Sequence, residues 1–70
     1  MSNDDREKLK KLLSYWVEHN QEHSEEFREW AGKARDMGEA EAAAEILEAV
    51  ANMDKVSAIL SGTLKRLGGS

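Results

Sequence analysis

Lys33-Ala34-Arg35-Asp36-Met37-Gly38-Glu39-Ala40-Glu41 is the stretch on which the fold turns. Lys33 and Arg35 suit the negative end of a helix dipole, and Glu39 and Glu41 suit the positive start of the next. Gly38 between them takes positive φ without strain, which is how helices commonly end. A connection this short folds two helices back on each other, so the expected element is an antiparallel hairpin.

Upstream, a stripe of alternating four- and three-residue spacing runs through Leu9, Leu13, Trp16, Asn20, His23, Phe27, Trp30, Ala34 and Met37. That is the period of a packing seam, and it predicts a first helix over about 4–37. Asp4 with Glu7 makes a capping box, with Ser2 or Asn3 as alternative caps. Gly32 interrupts the pattern at a cost of about 1 kcal/mol relative to Ala, and a close approach of two helices is one reason to keep it. Downstream, Ile46, Val50, Met53, Ser57, Leu60, Leu64 and Leu67 form a second seam, flanked by Ala42, Ala43, Leu47, Ala49, Val56 and Ile59. The second helix, about 39–67, is thus apolar over a wider arc than one partner covers. The fold class is all-α: a single hairpin domain over 1–67, with 68–70 a flexible tail. Two hairpins joined as a C₂ homodimer would bury the remaining faces in a four-helix bundle.

Composition narrows the function. The chain has 70 residues, and a domain this small folds only marginally alone. It has no cysteine and no proline, so disulfides and thiolate metal sites are excluded and no ring breaks a helix. The net charge of −4 without a basic cluster argues against nucleic acid. No apolar run approaches the roughly 20 residues of a membrane span. The polar start, Met1 to Arg6, is unlike a secretory signal, and a cytoplasmic protein is the expectation.

His19 and His23 are the chain's two histidines and lie one helical turn apart. Imidazoles at i and i+4 share a helix face and can reach one ion, zinc or nickel fitting best. Glu22, Glu26 and, from the second helix, Asp54 are further oxygen donors. Two ligands from each chain of a dimer would complete a tetrahedral site. The alternative is structural: Asn20 and His23, with Ser57 opposite, form a polar core layer that sets helix register. A hairpin closed at Gly38 brings His23 level with Asn52 and Met53. A pH-responsive contact is a third reading of the same layer.

Sharper chemistries fail on spacing. A zinc protease needs His-Glu-x-x-His, but Asn20 stands where the glutamate base belongs. A carboxylate-bridged di-iron bundle needs Glu-x-x-His, and the order here is reversed. A phosphorylated histidine would meet Glu25 and Glu26. No nucleophile, base and orienting group can be named, so an enzyme is not expected. Trp16 and Trp30 are expected in the core.

The stretch Trp16-Val17-Glu18-His19-Asn20-Gln21-Glu22-His23, continuing through Phe27 and Trp30, resembles a group of short, uncharacterised prokaryotic proteins. Their Trp-(Ile/Val)-Glu-His-Asn-x-Glu-His core leads into a glycine turn and an alanine-rich second helix. The resemblance spans about Leu9 to Leu67. It implies the hairpin and draws attention to His19, Asn20, Glu22 and His23, without implying a reaction. The reading favoured by the residues is a small non-enzymatic protein that binds a transition metal, with a homodimer or another protein as its partner.

Overall fold

Alanine, leucine, glutamate, lysine and arginine dominate both halves of the chain, and these residues lose little side-chain freedom in a helix. The computed structural model describes residues 3–68, and two α-helices account for nearly all of them. Helix α1 runs Asn3–Asp36 and helix α2 runs Ala40–Arg66. Because α1 begins at Asn3, Asp4 lies inside its first turn with Asp5 and acts through the dipole instead of as the cap. Ser2, the other possible cap, lies outside the described residues.

Gly38 closes α1 as expected, and the hydrogen bonds show how. Its φ is +89°. The Gly38 N–H donates to the Arg35 carbonyl at 3.0 Å, and the Glu39 N–H donates to the Ala34 carbonyl at 2.8 Å. This is a Schellman closure, which satisfies carbonyls that the helix end would leave open. Gly68 repeats the device after α2, with φ +86° and its N–H on the Lys65 carbonyl. Gly68 therefore belongs to the folded domain and not to the expected tail, whose remaining residues, 69–70, lie outside the described ones. Gly32 needs no close approach: a Cβ there would meet nothing within 4 Å.

The helices pack as an antiparallel pair 53 Å long and 17 × 14 Å across. Arg6 donates to the Leu67 carbonyl at 2.9 Å, so the start of α1 holds the end of α2. The α2 seam is as predicted: Val50 and Ser57 are buried, and Ile46, Met53, Leu60, Leu64 and Leu67 are half-buried, while Ala43, expected on the flank, is buried with them.

The α1 seam is rotated by one residue at every second step. The residues turned inward are Leu13, Val17, Asn20, Ser24, Phe27, Ala31 and Ala34. Trp16, His23 and Trp30 sit one position earlier than Val17, Ser24 and Ala31, on the flank of the seam. Trp30 is 50% exposed and Trp16 39%, so neither tryptophan is a core residue. The cause is space. Ser24, Ala31 and Ala34 are buried, and small residues let two helix backbones approach where indoles would hold them apart.

Candidate functional site

Four rings follow one another along α1 at i, i+4 spacing. Tyr15 stacks on His19 with ring centres 5.3 Å apart. His19 meets His23 edge to face at 4.5 Å, with the rings at 89°. His23 lies 5.9 Å from Phe27. The line crosses from the exposed surface at Tyr15 to the seam at Phe27, so the histidines sit at the boundary between solvent and core.

The two imidazole Nε2 atoms are 3.0 Å apart. On the far side of the ring, His23 Nδ1 faces Glu26 Oε1 at 3.4 Å. The carboxylate favours a proton on His23 Nδ1, which leaves His23 Nε2 as a lone pair accepting N–H from His19 Nε2. His19, Glu22, His23, Glu25, Glu26 and Glu29 together line one open depression on the surface. Four carboxylates around two imidazoles create a field that attracts cations.

Asp54 is not part of this set. Ser24 Oγ donates to Asp54 Oδ1 at 2.9 Å, and Arg28 donates to Asp54 Oδ2 at 2.7 Å. Among the described residues, no three of His, Asp and Glu come together to hold a metal ion. One chain therefore brings two imidazole nitrogens together, with the Glu26 carboxylate beside one of the rings.

The expected polar layer of Asn20, His23 and Ser57 does not form. His23 is held to His19 at the edge, its side chain 42% exposed, and Asn20 is half-buried. Ser57 is buried, and its Oγ has no hydrogen-bond partner. The polar layer that does tie the helices together is Ser24, Asp54 and Arg28. It places Ser24 opposite Asp54, about two residues along from the pairing of His23 with Asn52 and Met53. Ser24 and Arg28 follow from the sequence only once the seam is read through the small residues, Val17, Ser24 and Ala31.

A family model described as a domain of unknown function, DUF8180, matches residues 9–67. The chain belongs to the DUF8180 family. The matched segment holds the ring line, the Ser24–Asp54–Arg28 layer and the Gly38 turn, which makes the hairpin and its histidine pair one family domain. No curated protein and no solved structure matches the chain.

Proposed function

We propose that this DUF8180 protein is a small, non-enzymatic binder of a transition metal, and that His19 and His23 are its ligands. The observation that carries the reading is the separation of the two Nε2 atoms. Two metal–nitrogen bonds of about 2.05 Å hold their nitrogens about 2.9 Å apart at a right angle and about 3.3 Å apart at the tetrahedral angle. The observed 3.0 Å lies within that range. A small turn of either ring suffices, with His19 moving its proton from Nε2 to Nδ1 so that both lone pairs face the ion. Glu26 at His23 Nδ1 supplies the outer carboxylate that metal-bound histidines commonly have. The surrounding glutamates raise the local cation concentration. Asp54 has no part in the site, being engaged by Ser24 and Arg28. The segment Glu18-His19-Asn20-Gln21-Glu22-His23, which resembles a motif of short prokaryotic proteins, then holds the ligand pair with its acidic surround.

The test is thermal unfolding of chelator-stripped protein with zinc, nickel, cobalt or copper. The proposal expects a rise in Tm with at least one ion, lost in the His19→Ala, His23→Ala double variant. An unchanged Tm with every ion, or a rise that survives in the double variant, would overturn it.

A further inference from the structure

The two flanks of the seam are unlike, and the Arg28–Asp54 pair fixes which residues share a flank. Arg28 follows the inward residue Phe27, and Asp54 follows the inward residue Met53. Residues that follow Leu13, Asn20, Phe27, Met53 and Leu60 therefore lie on one side of the hairpin: Ser14, Gln21 and Arg28 of α1 with Asp54 and Ser61 of α2. Residues that precede Val17, Ser24, Ala31 and Ser57 lie on the other side: Trp16, His23, Trp30 and Val56. Leu12 and Ile59 extend that second side outward. Of the large apolar side chains exposed among the described residues, Leu47 alone sits on the first side.

The apolar side also carries an internal symmetry. Leu12 lies nine residues before Gln21, and Trp30 nine after. His19 lies two before Gln21, and His23 two after. The Ser24–Asp54 bond places Gln21 level with Ser57, three residues on along each helix. Val56 and Ile59 straddle Ser57. Two pairs on α1 thus centre on Gln21, and the pair on α2 centres within half a residue of the level of Ser57.

The area agrees. A compact monomer of 7.8 kDa exposes about 4,400 Å². This chain exposes 5275 Å², an excess of about 900 Å². A stable interface of ordinary size covers about 800 Å² on each partner.

We infer that a second copy of the chain docks on this apolar side, about a two-fold axis that crosses the hairpin at the level of Gln21 and Ser57. Each α1 then lies antiparallel on the partner's α1. Leu12 meets the partner's Trp30, and Val56 meets the partner's Ile59. His19 meets the partner's His23, so four imidazoles converge and complete a site for which one chain has two ligands. Only that last consequence rests on the proposed metal binding; the docking surface rests on the apolar pairs and the area.

Because the chain lacks cysteine, Leu12→Cys and Trp30→Cys placed together in one chain give a clean cross-linking test with a short bis-maleimide. Within a chain the two positions are about 27 Å apart along α1, beyond the linker's reach. The expected product is a covalent dimer, absent when either cysteine is present alone. Light scattering of the cysteine-free protein should give twice the single-chain mass. The Trp30→Glu, Ile59→Glu variant should halve that mass with its helical circular dichroism retained. A single-chain mass for the unsubstituted protein, both in chelator and with zinc or nickel, would overturn the inference. So would a dimer that the cysteine pair fails to cross-link, or one that the double glutamate variant leaves intact. A dimer in chelator that binds no ion would support the surface and refute the metal reading.

Discussion

The two sides of this hairpin satisfy their polar and apolar groups in opposite ways. On the Arg28 side, Ser24, Asp54 and Arg28 use one another: a buried hydroxyl and an arginine share one carboxylate, and the helices are tied in register. On the Trp30 side, large apolar groups stay in water and the histidines bond only within their own helix. The first side is tied within the chain through Ser24, Asp54 and Arg28. The second is unfinished, and both the proposed ligand pair and the proposed docking surface lie there. In a domain too small to bury much surface, the fold is tied along one edge while the other keeps its large apolar groups exposed.

The largest expected effect that separates the sides is acid sensitivity of the metal increment. At free ion a hundred times Kd, a bound ion adds about 2.7 kcal/mol of stability. Protons compete for the same Nε2 lone pairs, so this increment is present at neutral pH and lost as the pH falls. Melting scans at several pH values, with ion and with chelator, should converge in acid. The Arg28 side predicts a metal-independent loss. Asp54→Ala leaves the buried Ser24 hydroxyl without its partner and removes the Arg28 ion pair, so it should cost about 2 kcal/mol in urea unfolding. A cost below about 0.5 kcal/mol would show that the polar layer does not hold the helices.

Two changes should stabilise the hairpin without affecting either side's chemistry. Ser57→Ala removes a buried hydroxyl that has no partner and should raise stability by about 1 kcal/mol. Gly32→Ala places a methyl in open space on a helical backbone and should add about 0.5 to 1 kcal/mol. Urea midpoints at constant m-value check both. A loss at Ser57 would mean that its hydroxyl has a partner within the hairpin in solution.

Much of the fold was legible in the residues. Gly38, with charges of opposite sign before and after it, marked the turn, and the four-three spacing marked both helices. The phase of the α1 seam was harder to read, because two stripes satisfy the same period. Leu13, Asn20, Phe27 and Ala34 alternate equally well with Trp16, His23 and Trp30 or with Val17, Ser24 and Ala31. Hydrophobicity favours the first set. Close approach of two backbones favours the second, and packing decides it. That one-residue rotation moved His23 from an expected core layer to the edge of the depression. It also brought forward Ser24 and Arg28. The pairing of His19 with His23 survived the rotation, because i, i+4 neighbours on one helix meet whichever way the helix faces. Asp54 was placed wrongly for the opposite reason: its surroundings depend on how the two helices are rotated against each other.

Titration calorimetry of chelator-stripped protein with zinc and with nickel, beside the His19→Ala and His23→Ala single variants, reads the ligand pair itself. The account predicts saturable binding of one ion per two chains, weakened at least tenfold by either substitution. Binding that neither substitution weakens, or no heat at any ion concentration, would contradict it.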